Sequence, residues 1–517
     1  MIKFSFKNHS FGVIETDYNT LMDIWEAFSY YVPNYRFMPA YESGTWDGKI
    51  RLINISTHHF PTGLIKSLIE WCTVNNIEYV CDEQLLHKIT ISKDEILEFI
   101  DKNTFYSKGN EIFPREDQKY AIVRAIQEKR CINICPTSFG KSLCIFIQCL
   151  WHIKHNRRSL IVVPSVNLVH QFANDIKDYC TDTNGDANNM PSIQEIFAGQ
   201  EKLLNDDTNI CITTWQSIYK LDKSWINQFD VIVLDEAHKG AAACIKSVFD
   251  AAETVEYRTG WTGSLKNASI TGMQAESLIG PIKVITDTAT LMDAGVVADL
   301  TIHLVRFQYQ DNLVENLKDF FAEKRKVTGK TTYYDEIAFL ESNLQRNKTI
   351  IQMAGLMKKT GLLLYTHRKH GQELYKLATN MFPSRNIYNI DGSTVTRNGV
   401  RYKTYEELKS IIESEENAIL ICSFGVFSTG VSIKNLHYIM FTVPIKSYVR
   451  TIQSIGRGLR ISKTKTKVVL IDIIDDLCGK TRNGKRGKEN YAYKHFRERF
   501  VTYTEQKFKY KTATVII

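Results

Sequence analysis

Two stretches of the chain repeat one rhythm, a short β-rich apolar run followed by a segment with helical periodicity. Between about residues 115 and 300 the runs are 131–135, 160–163, 210–213 and 231–234; between about 345 and 475 they are 361–365, 418–422, 438–441 and 467–471. Short β-rich runs that alternate with helices call for a parallel sheet covered on both faces. The expected fold is therefore α/β, with two parallel-sheet lobes in tandem. Sheets of this kind hold ligands at the C-terminal ends of their strands.

The rest of the chain attaches to those lobes. Residues 1–95 read as a small α/β unit. Polar and apolar residues alternate over 2–7 and 11–15, an amphipathic stretch covers 18–31, and the turn Gly44-Thr45-Trp46-Asp47-Gly48 leads into an alternating strand at 49–53. The polar residues 101–110 suggest a linker over 96–112. The first lobe then spans 113–300, a connecting segment 301–344 and the second lobe 345–478. A basic, aromatic tail over 479–517 carries Lys480, Arg482, Lys485, Arg486, Lys488, Tyr491, Tyr493 and Phe496. A length of 517 residues suits about three domains.

Charge is distributed unevenly. The net +8 divides into −9 over residues 1–300 and +17 over 301–517, which points to an anionic partner for the C-terminal half. No apolar run approaches the roughly 18 residues that cross a bilayer, and the alternating N-terminus lacks the apolar core of a signal peptide. The expectation is a cytoplasmic protein with no membrane partner. The 11 cysteines are odd in number, scattered and free of CxxC pairs, which suits buried thiols in a reducing compartment rather than a zinc ribbon.

Two sites carry chemistry. Cys135-Pro136-Thr137-Ser138-Phe139-Gly140-Lys141-Ser142 follows an apolar run and precedes a helical one. A phosphate-binding loop needs inward backbone N–H groups, a lysine for the β/γ-phosphates and a hydroxyl for Mg²⁺. Gly140, Lys141 and Ser142 supply that core, although Cys135 stands where the first glycine is usual. The second site, Asp235-Glu236-Ala237-His238, ends the apolar run 231–234. It puts paired carboxylates at the ligand-binding end of a strand, Asp235 for Mg²⁺ and Glu236 to orient and deprotonate the attacking water.

Asp-Glu-Ala-His resembles motif II of the superfamily 2 helicases, and other motifs of that family follow in order. Arg115 and Gln118 resemble the adenine-reading segment. Pro164, Ser165 and Gln171 resemble motif Ia, and Thr213, Thr214 and Gln216 the next strand-contacting motif. Thr262-Gly263-Ser264 resembles motif III, residues 427–432 resemble motif V, and Gln453-Ser454-Ile455-Gly456-Arg457-Gly458-Leu459-Arg460 is a full QxxGRxxR motif VI. The loop PTSFGKS, the run VFSTGVSIKNLH (426–437) and the N-terminal GTWDGKIRL (44–52) look like the UvsW-type phage helicases within that superfamily.

The resemblance implies two RecA-like lobes, ATP and Mg²⁺ as cofactors, and a monomer that acts on DNA. Pro136, Thr137, Ser138 and Phe139 would line the nucleotide with Gly140, Lys141 and Ser142. Gln453, Arg457 and Arg460 would complete the catalytic set, the arginines as fingers on the transferring phosphoryl group. His238, Thr262, Gly263, Ser264 and Gly430 would couple hydrolysis to movement. Thr366 and Thr429 would join the strand contacts on phosphates. Ser432 departs from the aspartate that many relatives carry there. The implied activity is remodelling of branched, single-stranded and duplex DNA, and of RNA–DNA hybrids, in phage recombination, repair and replication. A restriction-system motor subunit and an RNA helicase are the alternatives. Trp46 and Asp47 are a weaker DNA-contact candidate, and His367, Lys369 and His370 are expected on the surface rather than at a metal.

Overall fold

The computed structural model describes all residues except 87–88, 240–242, 266–269, 330–332, 393, 405, 430–432, 434, 462–464 and 480–483. The chain divides into two compact units, Met1–Thr286 and Asp287–Ile517. No described helix is long and apolar enough to cross a membrane.

Unit one begins with a four-stranded sheet in the order His59–Pro61, Phe11–Glu15, Ile2–Phe6, Tyr79–Cys81. The alternation in Ile2–Phe6 turns Ile2 and Phe4 inward, where they pack with Leu21, Ile24, Leu68 and Cys72 from the helices Tyr18–Ala27 and Ile65–Val74. The second sheet has seven strands: Ile193–Ile196, Ile210–Thr214, Ser159–Val163, Val231–Asp235, Tyr257–Thr262, Arg130–Ile134 and Ile282–Val284. Every pairing in it is parallel. Its central strands are buried along their whole length, which is why they read as apolar runs without alternation.

The two sheets of this unit are joined by buried guanidinium groups. Arg130 donates to Thr62 Oγ1 at 2.8 Å and also to the His9 carbonyl. Arg258 donates to Ser10 Oγ at 2.8 Å and to Ala252 O at 2.6 Å. The expected linker at 96–112 is ordered chain. It holds most of the helix Lys93–Lys102, capped by Ser92, and the hairpin of Phe105–Ser107 with Asn110–Ile112.

Unit two is built on nine strands, in the order Val400–Tyr402, Thr394–Arg397, Ile387–Asp391, Ile419–Ser423, Gly361–Tyr365, Tyr438–Phe441, Lys467–Asp476, Asp299–Gln308, Lys509–Ile516. Only the first three neighbours run antiparallel. Two boundaries differ from expectation. The connecting segment 301–344 contains most of the strand Asp299–Gln308, which pairs in parallel with Lys467–Asp476 and Lys509–Ile516. The tail 479–517 supplies that last strand and the helix Tyr491–Glu505. This helix is pinned by the buried pair of Arg499 Nε and Asp472 Oδ2 at 2.9 Å. Strand Lys509–Ile516 is largely exposed at the sheet edge, so nothing in its composition marks it as core.

All eleven cysteines are free, and all but Cys81 and Cys244 are buried. Burial pushes the Cys131 thiol up to about 11, the behaviour of a packed thiol rather than a metal ligand.

Candidate functional site

Motifs I, II and III leave three neighbouring strands of the seven-stranded sheet. The phosphate loop follows Arg130–Ile134, the acidic pair ends Val231–Asp235, and Thr262-Gly263-Ser264 follows from Tyr257–Thr262. Register brings Thr262 opposite Ile134 and Trp261 opposite Asp235. The Cys135 N–H donates to Thr262 O at 2.8 Å, which ties the loop to motif III. A Cβ on Gly263 would lie 3.2 Å from Cys135 O, 3.4 Å from Thr137 N and 3.6 Å from Lys141 Nζ. Glycine is therefore what lets motif III lie against the loop.

Within the loop, Ser138 and Gly140 adopt φ of +70° and +92°. The left-handed value at Ser138 is one that glycine adopts freely and a residue with a Cβ does not. Lys141 Nζ donates to Cys135 O at 3.2 Å and lies 3.4 Å from Pro136 O, so its ammonium sits under the loop. The adenine-reading segment is clipped to the same loop. Gln118 Nε2 donates to Phe139 O at 2.8 Å, and Arg115 donates to that carbonyl at 2.9 Å. The backbone N–H of Arg115 donates to Gln118 Oε1 at 2.9 Å. Gln118 Nε2 also lies 2.5 Å from where a Gly140 Cβ would stand.

The acidic pair has its own constraints. Glu236 has φ +55°, and its N–H donates to Asp235 Oδ1 at 2.9 Å. Desolvation, then the Glu236 charge, raise the Asp235 carboxyl above its ordinary range, and Lys141 pulls the other way. His238 Nδ1 lies 3.1 Å from Glu236 Oε2, 3.1 Å from Thr262 Oγ1 and 3.3 Å from Ser264 Oγ. Motif II thereby touches motif III through one imidazole nitrogen.

The expected strand contacts lie at the other half of the same sheet edge, after Ser159–Val163 and Ile210–Thr214. Gln171 and Gln216 are exposed and Pro164 is partly so. Ser165 precedes the helix Val166–Cys180, with its Oγ buried and without a hydrogen-bond partner among the described residues. Thr213 departs from expectation: it is fully buried and its hydroxyl donates to Ile196 O at 2.7 Å. Thr214 is also buried, with Oγ1 2.9 Å from Ser217 Oγ. A strand covered on both faces has no side chain left over for a phosphate.

In unit two, Gln453 and Arg457 lie on the helix Tyr448–Gly458 and Arg460 just beyond its end. They are partly exposed while residues 454–456, 458 and 459 are buried. A spacing of four puts Gln453 and Arg457 on one stripe of the helix, and Arg460 follows its C-terminal end. Thr366 is exposed at the end of strand Gly361–Tyr365. Gly430 lies outside the described residues, and Thr429 is described only as the last residue of the helix Phe424–Thr429. His367 and Lys369 are exposed as expected, but His370 is buried, with Nε2 3.1 Å from Asn347 Oδ1. It faces inward on the amphipathic helix Arg368–Met381.

Two residues escaped the sequence reading. Tyr179 OH lies 2.7 Å from Ser142 Oγ, and burial pushes the phenol up. Lys465 is buried and donates to Gly458 O at 2.7 Å, at the end of the motif VI helix. Burial and the Arg460 charge push its ammonium down to about 8. Neither residue belongs to a recognisable spacing, so no pattern could have found them.

The family described as DNA helicase UvsW, N-terminal, matches residues 1–82, and the type III restriction enzyme res subunit family matches residues 111–264. The ATP-dependent DNA helicase uvsW of Enterobacteria phage T4 is 29% identical over 524 residues, covering 99% of each chain. The crystal structure of T4 UvsW aligns with 100% of this chain and 99% of its own, at 28% identity and TM-score 0.50. The ATP-dependent type ISP restriction-modification enzyme LlaBIII bound to DNA aligns with 87% of this chain and 34% of its own, at TM-score 0.52. Its 13% identity speaks for the shared fold alone.

Proposed function

The chain is a UvsW-type ATP-dependent helicase of superfamily 2, and from that premise we propose that it remodels branched DNA. The substrates in this reading are four-way junctions, stalled forks and R-loops met in phage recombination, repair and replication. The observation that carries it is the likeness to T4 UvsW along 99% of both chains, since it includes the N-terminal sheet as well as the ATP-binding lobe.

The residues suit the chemistry. Inward loop N–H groups and Lys141 would neutralise the β/γ-phosphates, and Glu236 would take the proton of the attacking water. Arg457 and Arg460 would offset charge on the equatorial oxygens, a contribution of about 10³–10⁵ in rate in well-studied NTPases. His238 would report the state of Glu236 to Thr262 and Ser264. Gln171, Gln216 and Thr366, all exposed, would hold the strand by its phosphates, without reading bases.

The donor set fits Mg²⁺. Ser142 and Asp235 offer a hydroxyl and a carboxylate oxygen, and a cation would relieve the burial that raises the Asp235 carboxyl. No cluster of three or more His, Cys, Asp or Glu occurs among the described residues, as suits an ion shared with substrate phosphates rather than caged by protein. When bound, Mg²⁺ would neutralise developing charge on the phosphates.

The test is ATPase activity with single-stranded DNA, duplex, fork, four-way junction and R-loop, with Lys141→Ala as control. Forks, junctions and R-loops are expected to stimulate most. Equal stimulation by all five would overturn the branched-DNA reading.

A further inference from the structure

Away from the nucleotide residues, unit two carries an open cavity of about 680 Å³ next to Thr366. It lies past the C-terminal ends of strands Gly361–Tyr365 and Tyr438–Phe441, the end of a parallel sheet at which ligands bind. One wall is aromatic. Tyr333 donates its hydroxyl to Pro444 O at 3.1 Å, and its ring centroid stands 4.8 Å from His495 and 6.2 Å from Tyr491. Those contacts hold Tyr333 as a fixed backing. In front of it, Tyr334 is 72% exposed and Tyr491 40% exposed, an unusual outlay of ring surface for residues that also line a cavity.

The rim is positive. Lys446 and Arg450 both line the cavity; Lys446 lies 3.3 Å from Glu498 and its side chain stays 65% exposed. Glu341 is the carboxylate among the described lining residues, and His367 Nδ1 already engages it at 2.9 Å. Exposed rings behind a cationic rim suit a ligand that carries a flat π-face and an adjacent anion. A nucleotide is such a ligand, and a base presents its face only when it is not stacked in a duplex.

We propose that this cavity receives a base of an unpaired DNA nucleotide, stacked on Tyr334 and Tyr491, with its phosphate against Lys446 and Arg450. The assignment rests on the reading that Thr366 borders the path of the DNA strand, and it adds a contact to the base where the other expected contacts reach only phosphates. Stacking tolerates any sequence, because every base has a π-face. The cavity would therefore favour DNA with an unpaired stretch, whatever its sequence.

The probes are labelled oligothymidylate, the same strand carrying abasic residues throughout, and a blunt duplex, each titrated against the full chain by fluorescence anisotropy. Tyr334→Ala is expected to weaken binding of the intact single strand by about tenfold. The abasic strand should bind wild type and Tyr334→Ala alike, and so should the duplex. Tyr334→Phe should bind the intact strand as wild type does, since the ring rather than the hydroxyl makes the contact. Thermal melting of each variant separates lost binding from lost folding, and Tyr491→Ala repeats the test at an independent ring.

Unchanged oligothymidylate affinity in both alanine variants would overturn the proposal, as would an equal loss on the duplex. Failure of the branched-DNA reading looks different: the wild-type ATPase would then be stimulated equally by all five DNA substrates, whatever the alanine variants bind.

Discussion

Arg258 donates a buried hydrogen bond of 2.8 Å to the hydroxyl of Ser10, a residue 248 positions away in the chain. The same guanidinium group donates to the carbonyls of Ala252 at 2.6 Å and of Phe249 and Val255 at 3.2 Å. Arg258 thus organises the end of the seven-stranded sheet and offers the N-terminal sheet a place to dock. Ser10→Ala removes two buried hydrogen bonds, the one its hydroxyl accepts from Arg258 and the one it donates to Phe249 O at 2.8 Å, and should cost about 2 kcal/mol. Arg258→Ala should cost roughly 3 kcal/mol or more, because several carbonyls lose their donor at once. Urea unfolding of the full chain, followed by Trp fluorescence, measures both, and a larger loss for Ser10→Ala than for Arg258→Ala would contradict the arrangement.

Gly263→Ala is expected to leave the protein folded and to slow ATP hydrolysis. The added methyl would press on Cys135 O at 3.2 Å and Thr137 N at 3.4 Å. A loop shifted by a fraction of an ångström misplaces Lys141, at a cost of roughly ten- to a hundredfold in kcat. Steady-state ATPase alongside a thermal melt checks it; a full-rate variant would show that the loop has slack.

His238→Ala should separate hydrolysis from its stimulation by DNA. The imidazole is the link between Glu236 and the Thr262–Ser264 pair. Without it, the DNA-free rate should fall less than the DNA-stimulated rate. Measuring both rates in the same preparation decides the matter, and a proportional loss in each would assign His238 to the chemical step alone.

The C-terminal segment should prove indispensable to folding. Arg499 and Asp472 are both buried and doubly bonded, and Tyr503 OH donates to Asp472 Oδ2 at 2.9 Å. Removing one member of a buried pair strands the other charge, at roughly 3–5 kcal/mol. Arg499→Ala and truncation before Gly479 should each expose unit two to limited proteolysis while leaving Met1–Thr286 resistant. A role for the basic tail in DNA binding is therefore better tested by charge reversal at Lys485 and Lys488 than by deletion.

Stability should fall with acid, in part through buried histidines. Burial, with help from Arg157, lowers His152 to about 3; burial and Arg346 lower His370 to about 3. As pH falls through about 6.5 the unfolded chain takes up these protons and the folded one does not. Their contribution is complete above that pH and is lost progressively down to about 3, at roughly 1.4 kcal/mol per pH unit for each histidine. Neither ring nitrogen of His152 has a hydrogen-bond partner among the described residues. His152→Phe should consequently keep the packing against Tyr257 and flatten the loss of stability between pH 6 and 5, read from urea midpoints.

The catalytic motifs were legible in the sequence because they follow strands buried on both faces, whose unbroken apolar runs end abruptly in polar residues. Gln453, Arg457 and Arg460 were legible as a motif, and the helix that carries the first two shows in the structure. What escaped was set by tertiary context. Nothing in the sequence marks Arg130, Arg258, Arg346 and Arg499 for the interior, yet each is buried among carbonyls or against an aspartate. Thr213 looked available until its strand was covered on both sides. Strand Lys509–Ile516 has an edge strand's mixed composition, and only its pairing with Asp299–Gln308 reveals it.

That pairing sets an order of events during synthesis. In the nine-stranded sheet, Asp299–Gln308 emerges from the ribosome first, yet its two neighbours, Lys467–Asp476 and Lys509–Ile516, emerge last. Until they arrive, this strand has both edges unsatisfied and nowhere in its own sheet to go. The seven-stranded sheet closes within Met1–Thr286 and can form while the remainder is still being translated. Nascent chains should therefore acquire a nucleotide-binding lobe well before the lobe that carries the arginines, and the interval is one in which a chaperone has an unpaired strand to guard.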